Sequence, residues 1–292
     1  MNYGEFLLPL IIITLGLHLL NTRVASPIVA IANRWVRWVL FSGSVAYVAG
    51  VFGWSSRPFW AVAGMAFITW FMLESIYNWA AIRALSLSPL PLFPRFTVNT
   101  GGDEWPTQRR LFWIRDWLRA GRFTQAQALK AEIAPGAFLR VSVYQNPEAL
   151  DRIQIAFIPH ANNAVSLCCT VSTNTADGER YVTDNLYLPF GGFFPEKWRV
   201  DRCPWVRSIP RLVELHRKRL RKDGVTAVPW QIDPLDDLNK QQSQLEVVNT
   251  ELGFLAPHID REENGKLTTE GRYRVWKEVW MLNYLGRAVG GS

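Results

Sequence analysis

The chain has 292 residues and a formal net charge of +7, but its charged residues are unevenly distributed. Residues 1–100 contain six arginines and two acids, whereas residues 101–292 contain 26 bases and 23 acids. The C-terminal part is only mildly basic, which argues against a nucleic-acid partner, since nucleic-acid-binding proteins concentrate their basic residues. The three cysteines exclude a disulfide framework and are typical of a reducing compartment.

Three apolar segments in the N-terminal part are predicted to cross a membrane. They cover residues 6–20, 38–54 and 59–82. A bilayer core of ~30 Å needs about 20 mostly apolar residues per helix. The first segment could instead be a cleaved signal peptide, but residues 1–5 lack the Lys or Arg expected there. We therefore predict a transmembrane three-helix domain over residues 1–85.

The basic residues beside these segments predict how the chain is oriented. No Lys or Arg precedes the first segment, three arginines separate the first two, one separates the second from the third, and more follow the third. Cytoplasmic flanks carry the excess of Lys and Arg. The N-terminus is thus predicted outside and the C-terminal domain in the cytoplasm. Together with the cysteine usage, this favours a multi-pass protein of a bacterial cytoplasmic (inner) membrane.

Small residues recur every four positions in the second segment, at Ser42, Ala46 and Gly50. This spacing places them on one face of a helix, where another helix can approach closely. We favour packing against the first or third helix of the same chain. A contact with another chain is the alternative.

Glu74 is a carboxylate within the third apolar segment, where an unpaired charge is costly. The predicted topology places His18, near the end of the first segment, at a similar depth. We therefore predict a structural polar contact between His18 and Glu74. A proton or ion relay is the alternative, but the three segments offer no longer chain of ionisable groups.

A Pro/Gly-rich linker is predicted over 86–104 and a cytoplasmic α+β domain over 105–292. Four segments of the domain have period-two or β-branched character and predict a small antiparallel sheet. These segments are 139–144, 152–158, 164–173 and 180–188. Residues 189–206 are predicted to form an irregular, aromatic-rich loop. Helices are predicted after the sheet at 208–224, 235–252 and 268–285.

Two helices are predicted ahead of the sheet, at 105–120 and 124–135. Gly121 ends the first, and Thr124 and Gln127 form a capping-box pattern that begins the second. Together they would form a helical hairpin. The first helix and the residue after its end carry both aromatic residues and the arginines Arg109, Arg110, Arg115, Arg119 and Arg122. We interpret it as a domain helix with solvated arginines, and contact with anionic headgroups is the alternative.

The helix predicted at 208–224 has one apolar face and one basic face. The basic residues are Arg211, Arg217, Lys218, Arg219, Arg221 and Lys222. A solvated helix face is the favoured interpretation. The alternative is a binding surface for anionic lipid or for an acidic protein partner.

No catalytic, cofactor or metal motif is recognisable in the sequence, and no cofactor is predicted. The four histidines lack the spacing of a metal site. His216 falls among the apolar positions of its helix and is predicted to be buried and structural. Cys168 and Cys169 are adjacent, so in a strand their side chains point to opposite faces.

A cluster of polar residues between 170 and 185 is a candidate ligand site in the predicted sheet. Its members are Ser172, Thr173, Asn174, Thr175, Asp177, Thr183, Asp184 and Asn185. We favour a solvent-facing sheet surface. The alternative is an active site that also uses His160.

Predicted anchoring without a catalytic motif favours a non-enzymatic, membrane-anchored scaffold or regulatory protein. Its cytoplasmic domain would bind a protein partner or the inner leaflet. One alternative is a membrane-associated enzyme of unrecognised type that uses His160 and the polar cluster. Another is a subunit of a transport or secretion assembly that uses the stripe of Ser42, Ala46 and Gly50.

Overall fold

The computed structural model describes residues 4–24, 26–101, 105, 111–159 and 165–288. The chain divides into two compact units. The helical unit contains the described residues of 1–84, 188–190 and 272–289, and the sheet unit contains those of 85–187 and 191–271. The first division falls at the predicted end of the transmembrane domain. The last helix, however, groups with the N-terminal helices rather than with the sheet.

The helical unit begins with α1 (Gly4–Val24), α2 (Pro27–Val51) and α3 (Phe59–Leu87). Two helices, Glu5–Thr22 within α1 and the whole of α3, are long and apolar enough to cross a membrane. The prediction of three spans is supported only for these two. The helix α2 begins earlier than predicted, at Pro27, and its first half includes Arg34 and Arg37. These two charges lower the hydropathy of α2.

The end of the chain packs on α2 and α3. The helix α8 (Thr269–Trp280) continues into a π-helical turn (Met281–Leu285). The ring centroid of Trp280 lies 4.8 Å from that of Phe71 in α3, and that of Tyr284 lies 5.2 Å from that of Trp38 in α2. Aromatic pairs at such distances add to the stability gained from burial alone. The predicted final helix is therefore confirmed, but it is a fourth element of the helical unit.

The sheet unit is built on eight strands within the described residues. They are β1 (Thr97–Val98), β2 (Thr124–Ala134), β3 (Ala137–Gln145), β4 (Arg152–Pro159), β5 (Val165–Thr175), β6 (Arg180–Asp184), β7 (Trp198–Arg202) and β8 (Ala227–Val228). Strands β1 to β7 lie side by side in chain order, and β8 pairs with β5. All pairs are antiparallel except that of β6 with β7. The four predicted strands correspond to β3–β6 and are confirmed.

The helix predicted at 124–135 is wrong, because these residues form β2. Residues 124–134 are mostly Gln, Ala, Leu, Lys and Glu, which favour helix. The register pairs Leu129 with Val141, and Ala134 with Ala137 across a two-residue turn at Pro135 and Gly136. Pro followed by a glycine with φ +75° is typical of a type II turn. The pairing with β3 outweighs the weak helix propensity.

Besides β8, two short strands lie where no strand was predicted. β7 lies inside the predicted aromatic loop 189–206 and runs parallel to β6. β1 lies inside the predicted linker 86–104 and pairs Val98 with Leu129 of β2. Both strands are defined by pairing with a neighbour that is distant in sequence, and neither has an alternating pattern long enough to be recognised.

Helices cover both faces of the sheet. The helices α4 (Phe112–Ala120) and α5 (Ile209–Lys222) contribute to one hydrophobic core, and α6 (Pro234–Glu251) contributes to the other. The first core contains Leu118 of α4, Leu212 of α5 and Ile155 of β4. The second contains Leu238 of α6 and Val143 of β3. A short 3₁₀ turn (His258–Asp260) and α7 (Arg261–Asn264) follow α6. The predicted helices near 208 and 235 are confirmed.

Candidate functional site

His216 is the centre of a hydrogen-bonded chain between α5 and the sheet. Its Nε2 lies 3.0 Å from Thr173 Oγ1 of β5, and its Nδ1 lies 2.9 Å from Thr183 Oγ1 of β6. The Thr173 hydroxyl donates to Asp151 Oδ1 at 3.0 Å. It therefore accepts from His216, whose Nε2 carries the proton, and Nδ1 accepts from the Thr183 hydroxyl. His216 is fully buried, which confirms its predicted burial.

Burial keeps this imidazole neutral. Loss of hydration lowers the pKa of His216 from 6.5 to about 4, and the positive charges of Arg219 and Arg217 act in the same direction against the opposing effect of Asp151. A general base must reach the proton that it removes. A buried ring with both nitrogens engaged offers no such access, so this centre holds α5 on β5 and β6 rather than acting on a ligand.

A second buried polar centre lies on the other face of the sheet, next to α6. Asp237 Oδ2 accepts from Arg152 Nη1 at 2.9 Å, and Asp237 Oδ1 pairs with Arg180. The side chains of Arg152 and Asp237 are each 1% exposed, so water does not screen this pair. Arg152 Nη2 also donates to the Ile232 carbonyl at 2.8 Å. The cluster thus ties β4 and β6 to α6 and to the chain that precedes it.

Trp230 packs against both guanidinium groups of this cluster. Its ring centroid lies 4.1 Å from Arg152 Cζ and 4.9 Å from Arg180 Cζ. Burial lowers the pKa of Arg152, and the Asp237 carboxylate opposes that effect. Removing one member of such a buried pair leaves an uncompensated charge, which destabilises a protein strongly. The geometry is therefore that of a structural clamp.

The predicted polar cluster of β5 and β6 is mostly buried, which corrects the expectation of a solvent-facing surface. The buried members are Ser172, Thr173, Thr175, Thr183, Asp184 and Asn185. The reason is that α5 covers one face of β5 while the Arg152 cluster covers the other. Asn185 illustrates how these groups are used, because its Oδ1 accepts from the Cys169 N–H at 2.7 Å and its Nδ2 donates to the Val206 carbonyl at 2.9 Å.

The predicted combination of His160 with this cluster stays a prediction. His160 lies outside the described residues. Asp177 is exposed in the turn between β5 and β6, whereas Asp184 is buried and lies 3.8 Å from Arg202 Nε. The described members of the cluster therefore do not line one open site.

Cysteine chemistry and metal binding find no support in the described residues. Cys168 and Cys169 are buried free thiols, and burial raises the pKa of both. Burial also raises the pKa of Cys203 to about 11. High thiol pKa values oppose formation of the reactive thiolate. Within the described part of the chain, no group of three or more His, Cys, Asp and Glu side chains could hold a metal ion.

The basic face of α5 separates into engaged and unengaged residues. Arg217 Nη2 pairs with Asp151 Oδ2 at 2.7 Å, Arg219 Nη1 donates to the Val182 carbonyl at 3.2 Å, and Arg211 Nη1 pairs with Glu214 at 2.7 Å. The other three residues, Lys218, Arg221 and Lys222, are exposed. Among the described residues, none of these three has an ion pair or a side-chain hydrogen bond. We call them the α5 basic end.

Glu74 has partners in the helical unit other than the predicted one. Its Oε2 accepts from Trp70 Nε1 at 3.0 Å and from the Tyr284 hydroxyl. His18 is exposed on α1, and no hydrogen bond or ion pair joins it to Glu74 within the described residues. The contact expected at His18 is thus made by Tyr284. Tyr284 belongs to the C-terminal segment, which lies outside the three N-terminal helices on which the prediction was based.

The three positions of the predicted stripe of small residues differ in burial. Ser42 and Ala46 are buried, and the Ser42 hydroxyl donates to the Trp38 carbonyl at 3.0 Å. Gly50 is exposed, and a side chain added there would meet nothing within 4 Å. Packing within the chain suits the first two positions, and a contact with another chain stays a prediction.

Sequence reasoning missed Arg152, Asp237 and Asp151, the charged residues on which both buried centres depend. Arg152 and Asp237 are 85 positions apart, and Arg217 and Asp151 are 66 positions apart. One signal was present, because Arg152 begins a strand of alternating apolar residues and a charge there must find a partner when the sheet is covered on both faces.

Comparison with protein-family models, curated proteins and solved structures finds no match to this chain.

Proposed function

We propose that this protein is a membrane-anchored scaffold or regulatory protein whose sheet domain binds an acidic segment of a protein partner. The α5 basic end is the observation that carries the proposal. The charges in the interior of the sheet unit are engaged with one another, whereas Lys218, Arg221 and Lys222 are exposed and unmatched in the described residues.

The position of these three residues suits binding to an acidic group. Arg221 and Lys222 lie in the last turn of α5, and Lys218 lies just before that turn. The helix dipole stabilises positive charges near this end of a helix. The adjacent Asp223 is exposed and contributes one negative charge. Three cations against one anion leave the patch net positive, and complementary charge speeds the encounter with an acidic partner.

The proposed anchor is the helical unit, and we infer a cytoplasmic membrane with the N-terminus outside and the sheet unit in the cytoplasm. Two apolar helices support membrane association. The orientation follows from the arginines beside them, such as Arg34 and Arg37, which favour the cytoplasmic side.

The test compares partners recovered from gently solubilised native membranes by quantitative mass spectrometry. Three forms of the full chain are used: the wild type, Lys218→Glu/Arg221→Glu/Lys222→Glu, and the control Lys197→Glu/Lys240→Glu/Lys277→Glu. The control reverses three exposed charges elsewhere on the chain. We expect one stoichiometric partner to be recovered by the wild type and the control, and at least about tenfold less with the α5 variant. Equal recovery by all three forms, or recovery of no partner, would contradict the proposal.

A further inference from the structure

The helix α4 has an exposed face that combines aromatic rings and arginines. Leu111, Ile114 and Leu118 are buried in the sheet unit. Phe112 and Trp113, on the opposite side, are 42% and 46% exposed. These two adjacent, exposed aromatic rings form an apolar patch on the side of α4 that faces away from the hydrophobic core.

Arginines border this patch. Arg115 Cζ lies 5.4 Å from the Phe112 ring centroid, and Arg119 and Arg122 are exposed. The one acid of α4, Asp116, is also exposed. Three arginines against one aspartate leave this segment net positive. Aromatic rings at headgroup level and arginines near phosphate are the combination found on helices that lie along a membrane surface.

We infer that α4 lies on the surface of an anionic bilayer, with Phe112 and Trp113 at the headgroup boundary and its arginines close to lipid phosphates. Asp116 opposes deeper insertion, since a carboxylate in hydrocarbon is costly. The inference rests on the proposed membrane anchoring and adds a lipid-contacting surface to the sheet unit.

The chain itself supplies the reason to choose lipid over another occupant. Residues 88–111 are all that separates α3 from α4, and this segment spans at most about 80 Å when fully extended. A tether converts a weak surface contact into an intramolecular event at high effective concentration. With this tether, even the weak contact that a short helix with two aromatic rings and three arginines makes is expected to keep α4 at the bilayer surface.

The experiment places a nitroxide at Ala120, an exposed position of α4 that leaves both aromatic rings intact. The full chain carries Ala120→Cys and Cys203→Ser and is reconstituted in vesicles containing phosphatidylglycerol. Cys168 and Cys169 are buried and stay unlabelled. Collision rates with oxygen and with a water-soluble nickel chelate report whether the label is near lipid. A label at the exposed Met72 of α3 is the reference for a position in the proposed membrane anchor. A label at the exposed Leu252, which follows α6, is the reference for a surface position of the sheet unit.

We expect the Ala120 label to prefer oxygen, as the Met72 label does, and the Leu252 label to prefer the nickel chelate. The double variant Phe112→Ser/Trp113→Ser should reverse the preference at Ala120, whereas Phe138→Ser, at another exposed aromatic residue, should not. An Ala120 label in water beside a Met72 label in lipid would overturn the inference and leave the anchoring intact. A Met72 label in water would overturn both.

Discussion

Among single residues, the buried charges of Arg152, Asp237 and Arg180 are expected to make a large contribution to the stability of the sheet unit. We expect Asp237→Ala to lower the free energy of unfolding by about 3–5 kcal/mol, because two guanidinium groups would lose their carboxylate in the interior. Unfolding can be followed in the full chain by the urea dependence of labelling at the buried thiol of Cys169.

The matched control for Asp237 is Glu214→Ala. Glu214 also pairs with an arginine, Arg211, but both side chains are more than half exposed, and exposed pairs contribute little. Similar urea midpoints for the two variants would show that the Arg152 cluster is not the structural clamp described above.

His216 makes the sheet unit sensitive to acid. Its folded-state pKa of about 4 is below the ordinary 6.5. Between pH 6.5 and 4, His216 is therefore protonated in the unfolded chain but not in the folded chain. The stability contributed by neutral His216 is complete above pH 6.5 and is lost as the pH falls towards 4, with a total loss of about 3 kcal/mol.

The measurement is the urea midpoint at several pH values, with 4,4′-dithiodipyridine as a thiol reagent that works in acid. His216→Gln should flatten the pH dependence between 6.5 and 4, whereas His258→Gln, at an exposed histidine, should leave it unchanged. A His216→Gln profile parallel to that of the wild type would show that another group is responsible.

At the scale of elements, polar contacts and aromatic packing hold the C-terminal helix against α2 and α3 within the helical unit. Tyr284 donates to Glu74, and its own carbonyl accepts from Trp35 Nε1 at 3.0 Å. We expect Tyr284→Phe to increase hydrogen exchange of the amides in 281–285 by about ten- to a hundredfold, since a hydrogen bond to a carboxylate contributes about 1.5–3 kcal/mol. Mass spectrometry of the full chain in lipid nanodiscs gives the rates.

The control is Tyr273→Phe on the same helix. Tyr273 is exposed and stacks on Trp276, with ring centroids 5.8 Å apart. Removing the Tyr273 hydroxyl leaves the contact between Tyr284 and Glu74 in place. If both variants exchange at the wild-type rate, the hydrogen bond to Glu74 does not hold the end of the chain.

Sequence patterns predicted those elements whose signal is local. Alternation along 139–144 and 152–158 predicted β3 and β4, and the apolar stripe around Leu212 predicted α5. β2 was missed because Gln, Ala, Leu and Lys favour helix, and its strand state depends on pairing with β3. The candidate site could be predicted only in part. The buried state of His216 follows from its helix position, whereas the two arginine partners of Asp237 lie 85 and 57 positions away in the sequence.

At the scale of the whole molecule, the number of membrane crossings depends on α2. Two crossings, by α1 and α3, would leave both ends of the chain on the same side, and three would place them on opposite sides. The helix α2 has 25 residues and a length of about 37 Å, enough to cross ~30 Å of hydrocarbon. Its difficulty is Arg34 and Arg37, which leave residues 38–51 as the uncharged part.

The returning C-terminal segment reduces this difficulty for Arg34. Arg34 Nη1 donates to the Asn283 carbonyl at 3.2 Å, and Trp35 Nε1 donates to the neighbouring Tyr284 carbonyl. Arginines near a helix end can also extend to the interface. With these contacts α2 can place its first half at the inner headgroup region, and we therefore expect three crossings.

Reporter fusions decide between the two topologies. We expect alkaline phosphatase inserted after Trp54, in the turn between α2 and α3, to be active outside the cytoplasm, and green fluorescent protein at the C-terminus to fluoresce inside. Phosphatase inserted after Ser26, in the turn between α1 and α2, is the matched control and should be inactive. If α2 did not cross, the fusion after Trp54 would be inactive, and a phosphatase at the C-terminus would be active instead. That result would remove the cytoplasmic placement on which an acidic cytoplasmic partner depends.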